Sequence, residues 1–394
     1  TYDYQKEKVT RTFNTLYGEF DIIKDLKFRT TLSYDITNTK GVDWWDPRTS
    51  NGDDINGGMS KSYDEYKKLV WANQISYKFT LAKKNHFDIL AGYEIDDQYF
   101  DYLYGYANNF ATPDKQAIGN GMTIDEIGGY DKSTRMVSYV SRLNYDYLEK
   151  YYLGGSFRVD GSSRLHRDHR WGNFWSVSGA WRASREQFME STSDWLSELK
   201  LRASYGVNGT LPSDYYGYMG LSSISAGFLG QPGIVLSQIA NDNLQWETNY
   251  NLNVGLDFEL FRRVSTTVEY YTRHTRNLLI DCPVSMVTGF SSYLMNVGEV
   301  MNKGVELEIK SLNIDNSNFS WNTSLALSHN KNKILTLDGD QDEIISGTQI
   351  RKVGYPFRTF YVYEFAGINP ETGAPQFYTN EKKEGQLVQE ITET

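Results

Sequence analysis

Runs in which apolar and polar residues alternate follow one another along the chain. The clearest stretch, residues 135–183, holds three such runs, joined by a short connection at 148–150 and a longer one at 161–170. The apolar or aromatic positions of the middle run are Tyr151, Leu153, Phe157 and Val159. Successive side chains of a strand point to opposite faces. The stretch therefore predicts three strands of a meander, each with one apolar and one polar face.

The connections between the predicted strands alternate in length along the whole chain. Short turns are predicted near residues 24, 83, 149, 262 and 316. At the sixth position where a short connection is expected, the alternation of apolar and polar residues breaks over residues 184–198, which predicts one or two helical turns. Ser184 and Gln187 have the spacing of a capping box there. Long loops are predicted near residues 50, 115, 165, 225, 290 and 345, two of them over about 38–66 and 97–134. About twelve strands result, with a length of about 9–11 residues that suits a tilted membrane crossing.

This sorting of loops by length is typical of an outer-membrane barrel, which has short periplasmic turns and long extracellular loops. A soluble sandwich has no physical reason to separate the two classes. Hydrocarbon offers no hydrogen-bond partners, so a sheet within it must close on itself. The pattern therefore predicts an all-β fold, an antiparallel up-and-down transmembrane β-barrel with an apolar face toward lipid and a charged face toward the lumen.

Composition is compatible with this fold and excludes other classes. The chain has 394 residues, 30 of them Tyr, and a net charge of −10, which argues against nucleic acid as a partner. The mean hydropathy of −0.56 would suggest a soluble protein, but alternating membrane strands keep that average low. A single cysteine, Cys282, excludes an intrachain disulfide and is expected to be a buried or loop thiol.

Seven segments together resemble the SusC-like (SusC/RagA-like) family of TonB-dependent outer-membrane transporters, with the best agreement over about residues 135–310. They are Arg142–Tyr147, Ser156–Arg164, Arg170–Ser178, Leu199–Gly206, Trp246–Glu247, Asn302–Leu307 and Gly367–Gly373. The resemblance implies a barrel of about 22 strands with a plugged lumen. It also implies a SusD-like surface lipoprotein as partner, energy from the TonB-ExbB-ExbD system, and glycans or peptides as substrates.

The chain differs from that family pattern by omission. Thr1–Tyr4 do not begin a signal peptide, and neither a plug domain nor a TonB-contacting segment is recognisable. The closing residues, Glu390–Thr394, are not a terminal aromatic strand. We therefore expect residues 1–394 to be an internal portion of the barrel.

Trp44 and Trp45, in a predicted long loop, are the candidate substrate contacts, because aromatic rings stack on sugar rings and peptide side chains. The competing interpretation is an aromatic girdle at the membrane interface. That girdle is the preferred interpretation for Tyr145, Tyr147, Tyr151 and Trp181.

Metal and catalytic sites have little support in the sequence. Asp338–Glu343 has the carboxylate spacing of a calcium loop, but Glu343 stands where Gly is required and Gln349 where Glu is required, so a solvated acidic loop is preferred to Ca²⁺. His166 and His169 lack further zinc ligands. No nucleophile–base set is visible, and Glu306 and Glu308 share one strand face as lumen lining.

The sequence thus predicts an outer-membrane importer of glycans, peptides or other large nutrients, with no enzymatic activity and no cofactor. The alternative is a soluble, secreted β-rich glycan-binding module. An outer-membrane enzyme barrel is a third hypothesis, disfavoured by the missing catalytic constellation.

Overall fold

The chain folds almost entirely as β-structure. The computed structural model describes residues 2–228, 231–337, 342–379, 381–383, 386–388 and 390–392. Within these residues twelve strands form one antiparallel sheet, in which each strand pairs with the sheet strand before it in the chain. The described ranges contain no ladder between the first and the last strand, so the sheet is open. The predicted all-β, up-and-down antiparallel fold is confirmed.

We number the strands of this sheet in chain order. They are β1 (Tyr4–Ile23), β2 (Leu26–Trp45), β3 (Gly58–Leu81), β4 (Asn85–Phe110), β5 (Gly121–Tyr147), β6 (Tyr151–Ser162), β7 (Trp171–Arg182), β8 (Leu196–Thr210), β9 (Glu247–Leu260), β10 (Val264–Arg276), β11 (Glu299–Asp315) and β12 (Ser320–Thr336). Shorter hairpins lie in the long connections, at Leu221–Phe228 with Gln231–Gln238 and at Leu279–Pro283 with Ser292–Asn296. Short strands also follow β12, at Glu343–Ser346, Gln349–Lys352, Thr359–Phe360, Glu364–Ile368, Pro375–Tyr378, Glu381–Lys383, Gln386–Val388 and Ile391–Thr392.

Connection lengths alternate as the sequence predicts. Turns of a few residues follow β1, β3, β5, β9 and β11, whereas the other connections are long. Two short 3₁₀ helices, Ala183–Arg185 and Gln187–Thr192, lie in the connection where helical turns are predicted. No side chain caps either helix, so the prediction of a capping box is wrong. Among the described residues, no helix has the length and apolar character that a membrane crossing needs.

Three of the short turns carry non-glycine residues with positive φ at two successive positions. The pairs are Ala82 with Lys83, Leu148 with Glu149, and Phe261 with Arg262. Hairpin turns of this backbone conformation match the right-handed twist of the flanking strands. Tight pairing at this edge of the sheet therefore outweighs the cost of left-handed backbone at residues that have a Cβ.

The strands are longer than predicted at the opposite edge. β3, β4 and β5 contain 24, 26 and 27 residues, and together with β2 they take in most of the predicted loops 38–66 and 97–134. At about 3.3 Å per residue, β4 is about 86 Å long, far more than one membrane crossing requires. The two predicted loops do occur near residues 50 and 115, but their predicted bounds were wrong, because the strands keep pairing with one another beyond the length of one membrane crossing.

An apolar band lies on the outer face near the short turns. It includes exposed Trp71, Ile75, Ile89 and Leu143. Next to the turns, Phe87 packs between Phe79 and Tyr145 with ring centroids 4.9 Å apart in both pairs, where the predicted girdle should lie. Farther up the same face, an ion pair joins Asp97 to Arg135. The nine residues from Phe87 to Ile95 span about 26 Å, close to the apolar height of an outer-membrane barrel.

Buried apolar residues lie mainly at the long-loop edge, in three small clusters. The first contains Trp44, Met59 and Phe110. The second contains Leu165, Phe174, Leu244 and Trp246, and the third Ile280, Cys282, Val300, Ile334, Leu337 and Ile344. These clusters hold the loops against the upper ends of the strands, which positions the surfaces described next.

Candidate functional site

An inward-facing row of aromatic side chains continues β4 and β5 above the apolar band. Odd positions of β4, such as Ile89 and Leu103, point outward, so its even positions face the lumen. From residue 100 to residue 106 these even positions are all aromatic. We call the following residues the aromatic wall: Trp45, Phe100, Tyr102, Tyr104, Tyr106 and Tyr130.

Rings of the aromatic wall contact one another across strands. Tyr102 and Tyr130 are register partners with centroids 5.4 Å apart, and Phe100 lies 5.9 Å from Tyr130. Trp45 meets Tyr106 edge to face at 5.8 Å. Burial raises the pKa of Tyr102 and of Tyr104, so their phenols stay neutral at physiological pH and can donate hydrogen bonds. The wall thus offers ring faces together with neutral hydroxyl groups.

The loop after β8 folds onto the lower end of this wall. Lys132 Nζ lies 5.0 Å from the ring of Phe100 and 5.1 Å from that of Tyr215, a loop residue. The Tyr215 hydroxyl donates to Gln98 Oε1 at 3.4 Å, and Arg164 stacks on the Tyr215 ring at 4.4 Å. Cation–π and hydrogen-bond contacts therefore fix this loop on the lumen side.

The two predicted substrate contacts, Trp44 and Trp45, have different surroundings. Trp44 is 1% exposed and packs edge to face on Phe110 at 5.0 Å, so this tryptophan is a core residue without an available ring face. Trp45 faces the lumen at the top of the aromatic wall, and its contact with substrate stays a prediction. Both lie about 60 Å up β2 from the short turn, far above the band where a girdle would lie.

The loop 46–57, directly above these tryptophans, is tied down by a carboxylate. Asp46 is buried and accepts from Arg48 Nε at 2.7 Å. This bond to Arg48 lowers the pKa of Asp46 to about 2. The Asp46 backbone N–H in turn donates to Asp3 Oδ1 at 2.7 Å, and Asn51 Nδ2 donates to Asp3 Oδ2. The rim of the site is therefore held in one conformation by charge-assisted hydrogen bonds.

Lower on the inner face, charged side chains pair across strands. Arg158 Nε contacts Asp160 Oδ1 at 2.7 Å. Arg202 contacts both Asp257 at 3.2 Å and Glu269 at 2.6 Å. Mutually compensated charges of this kind make a polar lining, and they are not arranged as a general acid and base.

The metal candidates find little support in the part of the chain that is described. No three His, Cys, Asp or Glu side chains converge there. His166 Nδ1 lies 3.3 Å from Asp168 and its ring contacts Tyr218. The predicted calcium loop falls largely outside the described residues, since 338–341 are not among them, and Glu343 bonds Lys352 Nζ at 2.6 Å. Cys282 is buried in an apolar cluster.

Sequence reasoning missed the aromatic wall because residues 97–134 were assigned to a loop. The signal was present, since Phe100, Tyr102, Tyr104 and Tyr106 recur with period two. Frequent Gly and Asn in this region, which are poor strand formers, concealed that period.

Comparisons with known proteins agree on one family. The family model described as "TonB dependent receptor-like, beta-barrel" matches residues 1–379. TonB-dependent receptor P3 of Formosa agariphila is 33% identical over 89% of this chain and 36% of that protein. TonB-dependent receptor SusC of Bacteroides thetaiotaomicron is 30% identical over 81% of this chain and 33% of that protein.

Among solved structures, the RagAB peptide transporter matches with a TM-score of 0.86 and 26% identity, over 100% of this chain and 44% of the matched chain. The chain spans about a third of the length of the curated relatives it matches. The open twelve-stranded sheet, its apolar outer band and these matches lead to one conclusion: the chain belongs to the TonB-dependent receptor β-barrel family.

Proposed function

We propose that the protein containing this chain is an active importer in the outer membrane that takes up glycans, peptides or other nutrients too large for passive pores. The observation that carries this proposal is the arrangement along β2–β5, where an apolar outer band of membrane height lies below an aromatic wall that faces the lumen. The similarity to the RagAB peptide transporter supports active import.

In this proposal, other parts of the protein and its partners complete the machine. A plug couples the barrel to the TonB-ExbB-ExbD system, and a SusD-like surface lipoprotein covers the extracellular mouth. The residues of this chain bind and guide substrate and carry out no chemistry, and nucleic acid has no role. A soluble glycan-binding module is not retained, because family membership and the apolar band both oppose it.

The test is an uptake assay in cells that lack the native gene and carry the full-length protein or a variant. In the variant, Trp45, Tyr102 and Tyr104 are all replaced by Ala. We expect uptake of the cognate nutrient to fall about tenfold or more at unchanged membrane level, because each aromatic contact contributes about 0.5–1.5 kcal/mol. Tyr77→Ala, on the outer face near the turns, is the control and should not alter uptake.

Two results would contradict the proposal. Unchanged growth and uptake after gene deletion, on every glycan and peptide source tried, would exclude the importer function. Normal uptake by the triple variant would be compatible with an importer, but it would show that the aromatic wall does not contact the substrate.

A further inference from the structure

A second polar surface on the inner face, formed by β9–β12, is rich in asparagine. Cross-strand pairing aligns its inward residues in rows. One row contains Asn251, Arg273, Asn302 and Asn332, and the next contains Asn253, Tyr271, Gly304 and Asn330. Apart from Gly304, these residues line, together with Asn249 and Glu306, a concave groove of about 600 Å³, which we call the amide groove.

The upper end of the amide groove is fixed by internal hydrogen bonds. Asn249 is fully buried, and its Oδ1 accepts from Arg273 Nε at 3.0 Å and from Thr275 Oγ1 at 2.7 Å. Asn332 Nδ2 donates to Asn302 Oδ1 at 2.7 Å, and Asn332 Oδ1 accepts from the Phe357 backbone N–H at 2.6 Å. These bonds order the amides before any ligand arrives, which lowers the entropic cost of binding.

Tyr271 forms a flat platform in the centre of the groove. Its ring lies over Gly304, where an added Cβ would approach the Tyr271 hydroxyl to 2.7 Å. The same hydroxyl donates to Asn330 Oδ1 at 3.2 Å, which fixes the ring against the wall. A glycine at position 304 is therefore a steric requirement of this platform.

Polar groups beside the platform are available to a ligand. Within the described ranges, the side chains of Asn253 and Glu306 have no hydrogen-bond partner, although both line the groove. Of the nearby cations, Arg202 is paired with Asp257 and Glu269, whereas Arg273 bonds the neutral amide of Asn249 through Nε and keeps its charge. Three carboxylates, Glu247, Glu269 and Glu306, line the same groove. The groove thus presents amide donors and acceptors, a ring face and more carboxylates than cations, which disfavours an anionic ligand.

From this set of groups we infer that the amide groove binds a neutral, hydroxyl-rich chain, an oligosaccharide, as it passes along the lumen wall. Each sugar hydroxyl both donates and accepts, as a side-chain amide does. An extended peptide is usually held by main-chain bonds to a free strand edge. β9, β10 and β11 are paired on both sides, so no such edge is available there.

This inference rests on the proposed importer function and narrows its substrate class. The full-length receptor, purified in detergent, is titrated calorimetrically with neutral oligosaccharides from a glucan, a xylan and a mannan, with acidic oligosaccharides, and with a tryptic peptide mixture. We expect at least one neutral oligosaccharide to bind. The double variant Asn253→Ala/Tyr271→Ala should weaken that binding about tenfold, equivalent to about 1.4 kcal/mol.

Asn322→Ala is the matched control. Asn322 lies on the same strand and face as Asn332 but nearer the short turn, about 33 Å from Asn332 and about 20 Å from Ser328, the register partner of Glu306 at the lower end of the amide groove. Its replacement should leave the affinity unchanged. Equal weakening by the control and the double variant would overturn the assignment of the groove.

The outcomes separate this inference from the importer function. Binding and cellular uptake of peptides alone, or oligosaccharide affinity unaffected by the double variant, would overturn the oligosaccharide site and leave the importer in place. Failure to bind or import any member of either class would overturn both.

Discussion

The lower and upper parts of strands β2–β5 share one continuous hydrogen-bonded ladder but are built for different surroundings. In the lower part, exposed apolar residues such as Ile89 and Leu143 face outward, and ion pairs such as Lys68–Asp96, at 2.8 Å, face inward. In the upper part, Trp44, Met59 and Phe110 make a small core of their own. The lower part thus relies on lipid to cover its apolar face, whereas the upper part buries some of its apolar surface within the protein and leaves side chains such as Ile124 and Ile127 exposed.

Under the proposed function, the difference also separates stability from recognition. Aromatic residues of the lower part, such as Phe87 and Tyr145, pack on the outer face and have no route to a substrate in the lumen. Those of the aromatic wall face the lumen above the membrane and are only half buried. Residues of one chemical type therefore have different surroundings, decided by height along the strand and by face.

The neighbours Trp44 and Trp45 give the largest expected contrast. Trp44→Ala should destabilise the upper core by about 3–5 kcal/mol, the usual cost of removing a buried tryptophan. Trp45→Ala removes only an edge contact, so it should cost about 0.5–1.5 kcal/mol. Hydrogen exchange of residues 46–57 in the full-length protein measures both. Equal protection in the two variants would show that the upper part has no independent core.

The sequence predicted the lower part of strands β2–β5 better than their upper part. The lower part followed from alternation and loop lengths, because lipid imposes one rule on every outward residue. The upper part was assigned to loops, since Gly128, Gly129, Asn108 and Asn109 disfavour strands locally. Its strands form through long-range partners, such as Tyr102 opposite Tyr130, which no local pattern specifies.

The functional surfaces follow the same division. Alternation places Asn249, Asn251 and Asn253 on one strand face, and this could be read from the sequence. The amide groove needs in addition the register that sets Asn251 opposite Arg273, and Arg273 opposite Asn302. A single sequence shows which residues share one face of a strand. It does not show which residues of the neighbouring strands lie beside them and complete a binding site.

A charge placed at two heights of one strand face tests the lipid boundary directly. Leu143→Arg on β5 should cost about 2–4 kcal/mol in the free energy of unfolding, because the cation would lie in hydrocarbon. Ile127→Arg, on the same face but above the band and 73% exposed, should change it by less than about 0.5 kcal/mol. Urea unfolding of the full-length protein in lipid vesicles gives both values. Similar costs would place the upper outer face in lipid too.

The smallest expected effect is a pH dependence confined to the upper part. The pKa of Asp46 is about 2 when folded, below the ordinary value of 3.8, because Arg48 stabilises its carboxylate. A lowered folded pKa stabilises the loop above pH 4, and this contribution disappears as the pH falls from about 4 toward 2. Hydrogen exchange of residues 46–57, corrected for the intrinsic pH dependence of exchange, should therefore become faster over that range. Asp46→Asn should remove the pH step, and its persistence would assign the titration to another carboxylate, such as Asp3, which bonds the Asp46 backbone.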